Sequence, residues 1–251
     1  MKILDIDVSE NASRHIKKLC DTFQRPVEFL PAEQRQNDDA GQNPLEAPNT
    51  NHYPVYLTTG LDRRMFEANA LYELFYIRQF ETGFPALCKK SSQLFFEDRE
   101  LVEGIGASIF TGVLDIEVYD RLRECGYSDT VKWFAGNIYN GLVSVASQEY
   151  GNTDDKYNFA NLVVTFAKVL FHTNDEQDGK IKALFADQPQ VLERSFEMRD
   201  MMRQNHPESP ATAAKAMGHM VNILDLWDLY YIQISGRRIR TKSEFESFCT
   251  Q

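Results

Sequence analysis

Leu71-Tyr72-Glu73-Leu74-Phe75-Tyr76-Ile77-Arg78-Gln79-Phe80-Glu81-Thr82-Gly83-Phe84-Pro85 is the stretch from which the fold is most directly read. Its apolar residues recur at three- and four-residue spacing, the period of a helix face, and Gly83 followed by Pro85 ends the pattern. Upstream, Asp62 supplies a side-chain oxygen for the backbone N–H groups that a first helical turn leaves unpaired. The spacing predicts one helix from Asp62 to Thr82 with Gly83 at C′, where a left-handed backbone is commonly needed. Phe66, Ala70, Leu74 and Ile77 then share one apolar face, with Tyr72, Tyr76 and Phe80 beside it. The β-prone run Tyr53-Pro54-Val55-Tyr56-Leu57 comes shortly before.

Outward from there the chain changes character near residue 60. Towards the N-terminus the elements are short. Ile3 to Val8 alternates like a strand, Ile16, Leu19, Cys20 and Phe23 have helical spacing, and Val27–Leu30 and Val55–Thr58 are β-prone. Pro31 to Asn51, rich in Gln, Asn, Asp and Pro, predicts a long exposed loop. Towards the C-terminus the signals are helical. One or two helices fill Leu94–Cys125 before Gly126, another runs from Ser128 to Tyr150, and others cover about Asp154–Phe171 and Gln188–Gln204. Ser209-Pro210 opens a helix expected to stop before Gly236, carrying a stripe of Met217, Met220, Ile223, Leu224, Trp227 and Tyr231. Ser243 and Glu246 form a capping box for a last short helix. The expectation is α+β, a small N-terminal sheet packed on a mostly helical body, with residues 1–127 and 128–251 forming one continuous globular whole.

Composition narrows the function. The 251 residues carry 27 Lys+Arg against 37 Asp+Glu, a net charge of −10, which argues against broad nucleic-acid or anionic-membrane binding. Arg237-Arg238-Ile239-Arg240-Thr241-Lys242 is the basic cluster where nucleic acid or an acidic partner would touch. Cys20, Cys88, Cys125 and Cys249 form no Cys-x-x-Cys pair and read as reduced, buried small side chains. The N-terminal residues carry two acids within the first seven and no apolar core of a signal peptide, and no apolar stretch is long enough to span a bilayer. A soluble cytoplasmic protein is expected.

Strand, short loop, helix, then Gly-Phe-Pro resembles the layout around the active-site helix of zincin metallopeptidases. The form is His-Glu-Leu-x-His with a following Gly-Phe-Pro, as in compact, regulator-associated bacterial members. In that family two imidazoles one turn apart hold zinc, and the intervening glutamate polarises the zinc-bound water. In register this chain reads Tyr72-Glu73-Leu74-Phe75-Tyr76: the glutamate is kept, and both histidine positions are tyrosine. Ile109-Phe110-Thr111-Gly112-Val113-Leu114-Asp115-Ile116-Glu117-Val118-Tyr119, leading to Gly126-Tyr127, is similar to the downstream helix that supplies the third ligand, at the position of Asp115. The opening strand–helix–strand residues fit as well, so the resemblance covers about the first half.

A phenol, with a reference pKa of about 10, is a poor substitute for imidazole on zinc. Glu73 and Asp115 leave two carboxylates, too few for a conventional site. The resemblance therefore implies a pseudoenzyme with no metal and no cofactor. Glu73 would stand at a vestigial general-base position. Tyr72, Tyr76 and Asp115 would line a cleft that binds a protein or peptide beside the third strand. Two other functions stay open: a hydrolase using Glu73 as acid or base with Asp115 and a histidine from elsewhere, and a helical scaffold with no cleft function. The same aromatics also read simply as core.

Of the five histidines, His15, His52, His172, His206 and His219, none forms a His-x-x-x-His or His-x-His pair. A rebuilt metal site would need convergence in space, and His172 reads as a helix C-terminal cap. Gly104-Ile105-Gly106 lacks the rest of a phosphate loop, and Gly-x-Ser-x-Gly is absent.

Overall fold

A computed structural model describes residues 1–34, 51–90, 96–144 and 154–250. The protein is α+β and mostly helical, and among the described residues the strands are spread over three small sheets. Backbone contacts divide it into two compact units. Met1–Gly83 with Val118–Trp133 form the first, and Phe84–Glu117 with Phe134–Gln251 the second.

In the first unit, β1 (Lys2–Ile3) and β2 (Ile6–Asp7) make an antiparallel hairpin. The alternation from Ile3 to Val8, expected as a single strand, is folded on itself. Leu4 and Asp5 both take positive φ (49° and 64°), the conformation a two-residue hairpin turn demands. Ser9 then caps α1 (Glu10–Cys20), which buries Ala12, Ile16 and Leu19. β3 (Val27–Pro31) pairs in parallel with β4 (Tyr53–Leu57), from Val27 opposite Tyr53 to Pro31 opposite Leu57. Tyr53, Val55 and Leu57 are buried, and the Tyr53 N–H donates to the Pro26 carbonyl. Alternate residues of a parallel strand bond to one neighbour, so Pro54, which has no N–H, faces away from β3. Of the expected Pro31–Asn51 loop, Pro31 ends β3 and Ala32–Gln34 form a 3-10 turn; residues 35–50 lie outside the described residues.

α2 (Arg63–Glu81) follows the sequence closely. Asp62 Oδ1 accepts from the Arg64 and Met65 N–H groups at 3.0 Å each, and Gly83 takes φ +78°. Phe66, Ala70, Leu74 and Ile77 are all buried. α1 and β4 pack on this helix. The division into units falls within α3 (Phe96–Glu124), a single helix, and within α4 (Ser128–Ser144). Gly126, at φ +90°, makes the turn joining them. The expected end of α4 at Tyr150 lies outside the described residues.

The second unit contains β5 (Ala86–Lys89), α5 (Lys156–Phe171), α6 (Asp175–Leu184), α7 (Pro189–Gln204), α8 (Pro210–Ile223), β6 (Tyr230–Ile234), β7 (Arg237–Ile239) and α9 (Lys242–Cys249). α5 packs along α7, and Phe166 meets Phe185 edge-on at 4.6 Å. The strands form an antiparallel sheet in the order β5-β6-β7. Two expectations are corrected here. The helix from Ser209-Pro210 ends at Ile223 rather than before Gly236. Asp225 turns left-handed at φ 51°, and Tyr230, Ile232 and Ile234 then point inward at the strand period. The last helix is capped by Thr241, whose Oγ1 accepts from the Glu244 N–H at 3.2 Å, and not by Ser243. This start puts Phe245 in the core against Gly218, where a Cβ would overlap its ring. Among the described residues no helix is long and apolar enough to cross a membrane.

Candidate functional site

Tyr72–Tyr76 of the segment singled out by sequence lie in the middle of α2. Residues four apart on a helix stand one above the other, and Tyr72 and Tyr76 accordingly meet with ring centroids 5.1 Å apart at a 55° tilt. Tyr119, buried on the last turns of α3, joins them at 6.3 Å from Tyr72. Glu73 is half-buried and lies about 100° round the helix from Tyr72.

Asp115 belongs to the second unit. There it is half-buried and sets its negative charge against Lys168, whose ammonium donates to Thr111 Oγ1 at 2.9 Å. Burial pushes the Lys168 pKa down, and Asp115 opposes that shift. The stem of Lys168 runs over Gly112 closely enough that a Cβ there would stand 2.9 Å from Lys168 Cγ. The structure thus brings Tyr72 and Tyr76 together with Tyr119, and gives Asp115 a cation within the second unit.

The donor set on α2 does not fit zinc: two phenols in ring contact and a carboxylate on another part of the helix surface supply no imidazole and no thiolate. Among the described residues no group of three or more His, Cys, Asp or Glu converges so as to hold a metal ion. His52 pairs with Glu28 at 2.6 Å across the parallel strands. His172 caps the C-terminus of α5. His219 stands edge-on to Phe245 at 5.0 Å, and burial lowers its pKa. The His206 carbonyl accepts from the Glu208 N–H.

Sequence reasoning missed Glu67, a buried carboxylate of the first unit with several donors on it. It is 4% exposed and accepts from the Ser9 N–H at 2.5 Å, Ser9 Oγ at 3.0 Å and Tyr127 Oη at 2.7 Å, with Arg63 Nε at 3.8 Å. Burial and the bond to this carboxylate push the Tyr127 hydroxyl well above its ordinary pKa. Arg64 lies over the Tyr127 ring at 5.2 Å and donates to the Gly126 carbonyl at 2.7 Å. A carboxylate that accepts three hydrogen bonds ties α1 to α2 and to the α3–α4 turn, which is a structural use of the group. The available signal was an acid four residues after Arg63, one position from the apolar face.

Two side chains of the basic cluster lie over aromatic rings. Arg237 lies over Phe248 and Arg238 over Tyr231, each at 5.6 Å, while Arg240 accepts from Lys90 Nζ at 2.7 Å through its carbonyl. None of the four cysteines is in a disulfide. Cys125 is buried and the other three are half-buried. Burial raises Cys20 to about 11 and also raises Cys125 and Cys249, the opposite of what a nucleophile needs. No family model matches the chain, and neither the curated proteins nor the solved structures give a significant match.

Proposed function

We propose that this chain is a zincin-like binding module that has exchanged its metal ligands for an aromatic stack and recognises an extended protein or peptide segment. The observation that carries the reading is the Tyr72–Tyr76–Tyr119 cluster, at the two positions of α2 that the resemblance assigns to imidazoles. Phenol rings in tilted contact at those positions supply no imidazole for a metal, and so leave Glu73 with no metal-bound water to polarise. The parallel β3–β4 pair ahead of α2 supports the same strand–helix layout, with an extended segment adding at an edge of that pair.

The test is to restore the imidazoles. The full-length Tyr72→His, Tyr76→His double variant is expected to bind zinc stoichiometrically, while the unmodified protein binds none and cleaves no denatured casein. Stoichiometric zinc in the unmodified protein overturns the binding-module reading. A folded double variant without zinc affinity overturns the zincin register.

A further inference from the structure

The first unit holds another site, separate from the tyrosine stack. A cleft of about 420 Å³ is lined by α1, α2 and the last turns of α3. Lys18, Arg78 and Arg121 stand at it with the imidazole of His15, and Glu124 is the one carboxylate among the lining residues. We propose that this cleft binds a small phosphate monoester, with the phosphate held by the cations and an apolar ester group on the floor.

Charge decides the ligand class. Three fixed cations against one carboxylate leave 3 − 1 = +2 in a chain whose net charge is −10. Glu124 is already engaged by Arg121 at 3.0 Å. Lys18 and Arg78 make no ion pair among the described residues, and Arg78 is half-buried. A cation partly withdrawn from water without a counter-charge is unfavourable, and an anion in the cleft relieves this. A phosphate monoester carries about −1.5 to −2 near neutral pH, which matches the excess of +2, whereas a carboxylate cancels half of it. Guanidinium groups also match phosphate oxygens in pairs.

The floor sets the rest of the ligand. Leu19, Phe75 and Cys125 line the cleft and are buried. The Thr22 hydroxyl donates to the Leu19 carbonyl at 2.7 Å, so it presents acceptor lone pairs rather than a proton. The volume lies within the roughly 300–1,000 Å³ of small-molecule sites and exceeds what bare phosphate fills.

The experiment is calorimetric titration of the full chain with phenyl phosphate, benzoate and inorganic phosphate. Phenyl phosphate is expected to bind at least about tenfold more tightly than either of the others, with affinity falling as salt rises. Lys18→Gln and Arg78→Gln should each weaken it about tenfold or more, the scale of a lost hydrogen bond to a charged group. Glu124→Gln should tighten it several-fold, a gain that damage to the fold does not produce. No saturable binding, equal affinity for inorganic phosphate, or indifference to all three substitutions in folded protein overturns the proposal.

Discussion

In the first compact unit a carboxylate sits at the centre: Glu67 accepts from Ser9 and Tyr127 and so ties α1, α2 and the α3–α4 turn to one group. In the second, the faces that α5 and α7 bury are mostly apolar. Phe166 of α5 lies edge-on to Phe185 at the end of α6, and Ser195 is the single fully buried polar residue of α7, its hydroxyl bonding to the Val191 and Val163 carbonyls. The two solutions fail differently. Truncating an apolar contact leaves a cavity whose effect scales with volume. Removing a shared acceptor strands several buried donors at once.

Phe166→Ala is the sharpest probe of the second unit, with an expected loss of about 3–5 kcal/mol in urea unfolding. Glu67→Ala probes the first, with an expected loss of about 3 kcal/mol from stranding the Ser9 and Tyr127 donors. A loss under about 1 kcal/mol would show that the first unit too is held by apolar packing. Gly218→Ala forces the Phe245 ring off α8 and should lower stability by about 1–3 kcal/mol. An unchanged melting temperature would mean that α9 adds nothing to the second unit.

The smallest effect is expected in alkali. Burial, and then the bond to Glu81, raise the Tyr53 hydroxyl from 10 to about 12. The folded state therefore holds this proton more firmly than the unfolded chain does. The contribution is fully present below pH 10 and is lost as pH rises from 10 to about 12. The stability gap between the unmodified protein and Tyr53→Phe should narrow by about 1–2 kcal/mol across that window. A gap that stays constant would mean Tyr53 titrates alike in both states.

What the sequence disclosed follows from how local each signal is. α2 was legible to the residue because Asp62 and Gly83 act within one turn of its ends. The Tyr72–Tyr76 contact was legible for the same reason, as a four-residue spacing. β6 was not. The stripe from Met217 to Tyr231 satisfies a helical period throughout, and the left-handed Asp225 that breaks it carries none of the signal a glycine would. β5 is defined by pairing with a strand more than 140 residues later, so its four residues hold no pattern of their own. α6 buries only Ile181 and has no apolar face to detect. The Glu67 network and the cationic cleft escaped because each gathers residues from three separate stretches of chain.

The path of the chain through α3 and α4 has a consequence for anyone dividing the molecule. Neither half is a contiguous piece of gene: residues 118–133, with Tyr127 and Arg121 among them, return to the first unit after an excursion of 34 residues. A fragment stopped at Gly83 would keep Glu67 and lose Tyr127, and would keep Lys18 and Arg78 while losing Arg121. A truncation after Trp133 would keep both sites together with the 34-residue excursion, and a splice joining Gly83 to Val118 would separate them from it.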